Sequence, residues 1–232
     1  ATLLAVRFDA ERLETVGEPF TVAEGVGGQP SSGAGYFSVS ASGLLTYAPQ
    51  NSIPNESALV TVDRTGHETE LPIPAASFSL PRISPDGRRL AYGIGSGAAS
   101  DDDVYLFDFA DKRSQRLTFG QGHAAPVWSP DGKSIAFTQG RSGEIGLFTK
   151  RADGSGGITP LLRSTAIILA SAWLADGRHL LVTDSQGTID IRVLDAMGGG
   201  TVAPLFVSDT AAEYAAALSP DERYVAYTTT ET

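Results

Sequence analysis

Apolar and polar residues alternate in short runs along most of this chain, and the runs return at a fixed interval. An apolar residue anchors one run at Leu45, Leu90, Ile135, Leu180 and Val225, always 45 residues apart. A second anchor follows two residues later, at Tyr47, Tyr92, Phe137, Val182 and Tyr227. Side chains two residues apart share one face of a strand, so each pair predicts a half-buried β-strand. A turn precedes each pair: SPDG at Ser84 and Ser129, LADG at Leu174, SPDE at Ser219 and, one residue shorter, SASG at Ser40. Proline presets φ at the second turn position, aspartate tolerates tight geometry, and glycine takes positive φ. Glu222 stands in the glycine place of the last turn, which is therefore expected to be strained or of another type.

Each hairpin is followed by a third alternating run, ALVTVDR, DVYLFDF, EIGLFTK or TIDIRVLD, and then by a fourth, HETELPI, SQRLTF, GITPLL or TVAPLFV. Four short antiparallel strands per 45-residue repeat are the signature of a β-propeller blade. The N-terminal runs TLLAVRFD and EPFTVAEG match third and fourth strands, and the C-terminal runs AAALS and YVAYTTT match first and second strands. The expectation is an all-β, five-bladed propeller of four-stranded antiparallel blades in one domain, residues 1–232. Half-blades at 1–30 and 211–232 would close the ring around blades at about 31–75, 76–120, 121–165 and 166–210. Closure removes open sheet edges, so a monomer is expected if the ring closes and a dimer if it does not.

The segments SPDGRRLAY, PVWSPDGKSIAF and RLTFGQGHAAPVWSPDG resemble the TolB-like, WD-repeat-like β-propellers of bacteria. The N-terminal part, LLAVRFDAERLETVGEPFTVAEGVGG followed by FSVSASGLLTYAP, is similar to the propellers that follow bacterial transmembrane serine/threonine kinases. The resemblance implies a propeller fold over nearly the whole chain and favours an extracytoplasmic place, the periplasm or cell surface. Its repeated turns are structural, so the resemblance implies little about activity. No kinase motif is present, and kinase catalysis is not carried over.

Composition narrows the partners. The formal net charge is −10, which repels phosphate backbones and argues against nucleic-acid binding. There is no cysteine, so disulfides and thiolate chemistry are excluded. No apolar run is long enough to insert into a membrane, and Arg7, Asp9 and Glu11 interrupt any signal-like core at the N-terminus.

Candidate chemistry is sparse. His67 and His179 read as solvated turn residues. His123 lies six residues before its SPDG turn, where the chain enters the innermost strand. Ala34, Phe78, Ile168 and Glu213 hold the corresponding places, and Tyr214 follows Glu213. This set is expected to ring the mouth of a central channel, with His123 and Glu213 as polar residues on a wet rim. The acidic run SDDDV brings Asp101 and Asp103 to the same face. It is not the alternating loop of a calcium site and reads first as a solvated loop. Trp128 and Trp173 hold equivalent inner-strand places and read as core aromatics. There is no GxSxG elbow, and the inner segments YFSVS, LPRIS, APVWS, ASAWL and AAALS carry no paired carboxylates.

These residues point to a non-catalytic binding or sensor module for a protein, a peptide or a small molecule at the channel mouth. Phe78, His123, Ile168, Glu213 and Tyr214 would be the contact residues, and no cofactor is expected. The alternative is a weak or promiscuous metal-dependent hydrolase of small esters or phosphoesters. His123 and Glu213 would then act catalytically or, with Asp101 and Asp103, hold a divalent metal.

Overall fold

A computed structural model of the chain describes residues 2–29, 34–35, 37–39, 45–47, 57–95, 102–119, 122–141, 144–185, 188–206 and 211–230. Its strands run in chain order. β1 (Thr2–Asp9) and β2 (Glu14–Ala23) come first. Three hairpins follow: β3 (Gly28–Gln29) with β4 (Ala34–Gly35), β5 (Phe37–Val39) with β6 (Leu45–Tyr47), and β7 (Val60–Val62) with β8 (Glu68–Glu70). Next come β9 (Phe78–Ile83), β10 (Arg89–Ile94), β11 (Asp103–Asp108) and β12 (Arg113–Arg116). The next blade is β13 (His123–Trp128), β14 (Ser134–Arg141), β15 (Glu144–Arg151) and β16 (Thr159–Ser164). It is followed by β17 (Ile168–Trp173), β18 (His179–Asp184), β19 (Asp190–Asp195) and β20 (Thr201–Phe206), and the chain ends with β21 (Glu213–Leu218) and β22 (Tyr224–Thr229). The described residues include no helix, and so none long and apolar enough to cross a membrane.

The all-β propeller stands, but the blade count does not. Four four-stranded sheets form among the described residues, where five were expected. Three of them are β9–β12, β13–β16 and β17–β20. The fourth joins the two chain ends in the order β2-β1-β22-β21, with Leu4 opposite Tyr227 and Val6 opposite Val225. This pairing of terminal half-blades is the one the sequence pattern demands. Among the described residues, the sector expected to be a fifth blade instead holds separate two-stranded pieces, β5–β6 and β7–β8. Strand β5 lies against β21 on one side and β9 on the other, so it occupies the gap between the first and second blades. The physical reason lies in the side chains. Tyr47 is 47% exposed although its period matches Phe137, which is fully buried. The turn before it, SASG, lacks the proline and aspartate that preorganise the others. A two-stranded hairpin is marginal in water, and among the described residues no third strand joins either one.

Cores form between neighbouring blades. Val104, Leu106 and Leu117 meet Trp128, Ile135, Phe137 and Phe148. Val127, Ala136 and Leu147 meet Ile168, Leu180 and Val182. Leu174, Leu181 and Ile191 meet Val6, Phe8 and Val225. Alternation along one strand thus feeds two interfaces: Ile135 and Phe137 face one neighbour, and Ala136 faces the other. Each fully buried large apolar side chain contributes about 1.5–3 kcal/mol.

The turns repeat atom for atom. Ser129 Oγ donates to Asp131 Oδ1 (2.7 Å) and accepts the Ser134 amide (3.0 Å). Ser84 and Ser219 make the same pair of bonds. Leu174 has no hydroxyl, and Asp176 compensates. Its Oδ1 accepts the amides of Arg178 (2.7 Å) and His179 (2.9 Å), and its Oδ2 lies 2.5 Å from His179 Nδ1. His179 is therefore a half-buried turn residue and not the solvated one expected. Glu222 keeps the common turn, its amide bonding Ser219 O as Gly132 bonds Ser129 O, both at 2.9 Å. It does so at φ 54°, a region unfavourable for a side chain.

Every complete inner strand carries a register shift, between residues 79 and 82, 124 and 127, 170 and 172, and 214 and 217. Leu80, Ala125 and Ala215 take positive φ there. Pro81 and Pro126 sit in these irregular places, where a missing N–H breaks no ladder bond.

Candidate functional site

Phe78, His123, Ile168 and Glu213 open β9, β13, β17 and β21, as their common spacing requires. The structure does not leave the polar pair on a wet rim. His123 is 1% exposed and Glu213 5%. Ile168 is also buried, while Phe78 and Tyr214 are half-buried. Backbone clamps explain the sealing. The His123 amide donates to Asp102 O (2.7 Å) and the Glu213 amide to Ile189 O (2.8 Å), in each case across to the preceding blade. Those carbonyls directly precede third strands β11 and β19, so β13 and β21 are pinned at their first residues.

A buried polar network grows from the first clamp. Asp103 opens β11 and is buried. It pairs with Arg116 at very short range, accepts Thr118 Oγ1 at 3.0 Å, and lies 3.5 Å from His123 Nδ1. Thr118 Oγ1 in turn accepts the Val104 amide (2.9 Å). On its other side, His123 Nε2 is 3.2 Å from Gln139 Oε1, and the ring meets Phe137 edge-on at 5.1 Å. A neutral ring satisfies both neighbours when Nδ1 carries the proton toward Asp103 and the Gln139 amide turns its NH2 toward Nε2. Burial pushes the His123 pKa below its ordinary value of 6.5, and Asp103 and Gln139 only partly offset this. The imidazole is neutral at pH 7.

A second carboxylate occupies the equivalent place in the next blade but one. Asp190 opens β19, is buried, and takes Arg192 Nη2 at 3.1 Å and Thr188 Oγ1 at 3.1 Å. Arg192 Nε also lies 3.5 Å from Asp184 Oδ2. Among the described residues no three His, Cys, Asp or Glu side chains gather as metal ligands, so His123, Asp103 and Glu213 do not form one such group. Asp101 lies outside the described residues.

The inner strands also carry a cation that sequence reasoning passed over. Arg82 of β9 donates through Nη1 to Pro81 O (3.2 Å) and Phe37 O (3.4 Å), while its own carbonyl accepts Trp128 Nε1 (2.9 Å). Desolvation pushes its pKa down to about 10. Arg116, Thr118, Gln139 and Arg192 were missed as well. The available signal was an aspartate opening an otherwise apolar-alternating third strand, at Asp103 and again at Asp190.

This architecture of repeated blades, shared turns and a blade made from both chain ends defines a β-propeller. Residues 43–232 match the TolB beta propeller domain, and the chain belongs to that family. It is 29% identical over 117 residues to an uncharacterized peptidase, YuxL, of Bacillus subtilis, covering 48% of this chain and 18% of the relative. It is 43% identical over 54 residues to the Tol-Pal system protein TolB of a Wolbachia strain from Drosophila simulans, covering 22% and 13%. The chain thus spans less than a fifth of the length of these curated relatives. Among solved structures, a putative TolB from Agrobacterium tumefaciens superposes with a TM-score of 0.58, covering 98% of this chain and 96% of the other. At 16% identity that likeness concerns the fold alone.

Proposed function

We propose that this propeller is a non-catalytic module that binds a protein or peptide at the face carrying the starts of the inner strands. The observation that carries this reading is the sealing of the titratable groups there. His123, Asp103 and Glu213 lie buried within clamps and ion pairs that hold neighbouring blades in register. A general base must reach the proton it removes, and a ring 1% exposed is placed to hold a loop. Half-buried Phe78 and Tyr214 supply the accessible aromatic surface on that face, the kind of side chain that anchors protein contacts. Membership of the TolB propeller family supports the same reading, and the likeness to a Tol-Pal system protein supports an extracytoplasmic place.

The test is selection of displayed peptides on the purified chain, followed by binding to Phe78→Ala and Tyr214→Ala. Selected peptides are expected to lose about tenfold or more in affinity when either aromatic is truncated. Peptides that bind both variants as well as the parent would overturn the placement. Turnover of small esters or phosphoesters that disappears in His123→Ala would overturn the non-catalytic reading.

A further inference from the structure

The outer strand of the first blade differs from β16 and β20 in what covers it. In β16 and β20, Leu161, Leu162 and Val202 pack into the core shared by their two blades, and Leu205 packs into the next one. In β2, Phe20 is 51% and Val22 43% exposed. Both line an open, almost wholly apolar groove of about 200 Å³. Ala5 of β1, Tyr224 of β22 and Leu218 of β21 continue the lining across the blade, and Val39 of β5 faces it from the split sector. The groove is therefore an interblade interface that the described residues of that sector leave open.

Two further features say what fits there. Among the described residues, strand β2 is the last in its sheet and pairs with β1 alone. Its outward amides and carbonyls beyond Pro19 can take another strand. Exposed Glu14, Glu18 and Glu24 stand along and just after β2, with Phe20 and Val22 between them. A second copy of this chain would bring the same carboxylates and a net charge of −10 against them, which disfavours self-pairing.

The geometry points to β-augmentation at this edge: β2 takes an extended peptide segment with alternating apolar residues and basic flanks. The apolar side chains fill the groove beside Phe20 and Val22, the main chain extends the sheet, and the basic flanks meet Glu18 and Glu24. This surface is separate from the inner-strand face proposed above, and neither reading depends on the other.

The probe is a fluorescein-labelled peptide of alternating valine and threonine with paired lysines at both ends, titrated against the whole chain by fluorescence anisotropy. It is expected to bind about tenfold tighter than the same core flanked by glutamates. Phe20→Lys should weaken it by about tenfold or more, as should N-methylation of the peptide backbone on its pairing edge. The double change Glu18→Lys with Glu24→Lys should reverse the flank preference, and both sites are exposed, so this variant is expected to fold. Tyr214→Ala should leave the affinity unchanged, which separates this site from the other face. Equal binding of the two peptides, indifference to N-methylation, or an unreversed flank preference in the double variant would overturn the proposal. A peptide-free dimer in sedimentation that Phe20→Lys abolishes would overturn it in favour of a second copy as the occupant.

Discussion

The blade β13–β16 and the split sector holding β5–β8 share one period and fold to different depths. Ile135 and Phe137 are fully buried at the interface with β9–β12. Leu45 and Tyr47, at the same period, are half-buried and exposed. In the complete blade, eight residue pairs join β14 to β15. In the split sector, β6 pairs with β5 and β7 with β8, and no described pairing joins the two hairpins. Period alone thus reports which side chains share a strand face. It does not report whether the adjacent face has enough apolar surface to cover them, because that depends on a strand contributed by another repeat.

The largest expected effect tests this contrast directly. Phe137→Ala should destabilise by about 3–5 kcal/mol, since a fully buried ring leaves a cavity between two blades. Tyr47→Ala should change stability by less than about 0.5 kcal/mol. Denaturant unfolding of both variants checks the difference. Equal losses would show that the split sector is as tightly packed as a full blade and that the contrast is wrong.

The network around Asp103 is a second mark of the complete blades. The corresponding place in the split sector is Ala58, which offers no carboxylate. Asp103→Ala removes the partner of Arg116, the acceptor of Thr118 and the neighbour of His123. The expected loss is about 1–3 kcal/mol, because Arg116 is partly exposed and can rehydrate. Ala58→Asp should gain nothing comparable. Thermal unfolding of the two variants reads this, and a loss below about 0.5 kcal/mol for Asp103→Ala would show that the network is incidental.

Much of the ring was legible in the sequence, and the reason is local. Turn chemistry and two-residue alternation act within a hairpin, so the 45-residue spacing survives as written text. The junction of chain ends was legible because the missing strand types at one terminus are those present at the other. The candidate site was legible only in part. His123 and Glu213 were correctly set at the starts of inner strands, but their burial was not. It depends on Asp102 and Ile189 carbonyls in neighbouring blades and on Arg116 and Gln139, at 7 and 16 residues from His123. Contacts between repeats leave no periodic trace when each repeat solves the junction with different side chains.

The buried histidine also gives the complete blades a pH signature. Its pKa is depressed in the folded protein, so the unfolded chain binds a proton first as pH falls through 6.5. Stability from this site is therefore whole above that value and declines as pH drops toward the lower folded pKa. His123→Gln cannot take a proton. Between about pH 7.5 and 5.5 the wild type should lose more unfolding midpoint on thermal scans than this variant. Parallel curves would mean that the ring is already solvated or already charged in the folded state.

The smallest effect separates turns that differ by one residue. Gly87, Gly132 and Gly177 take positive φ in their turns without penalty, whereas Glu222 holds the same place at φ 54°. What retains it is its carboxylate, which accepts the Ala175 amide from the turn of the preceding blade at very short range. Two terms then oppose each other. The backbone conformation costs about 1–2 kcal/mol for a residue with a side chain. The bond to Ala175 returns about 0.5–1.5 kcal/mol, more if the charge is well placed. Glu222→Ala removes the bond and keeps the strain, so it should lose about 1 kcal/mol. Glu222→Gly removes both, and its gain in backbone comfort is reduced by the extra entropy of glycine in the unfolded chain. It should therefore lie within about 0.5 kcal/mol of wild type and above Glu222→Ala. Chemical denaturation of the pair decides it: if Glu222→Ala is as stable as Glu222→Gly, then the contact to Ala175 contributes nothing and strain at this turn is not being offset.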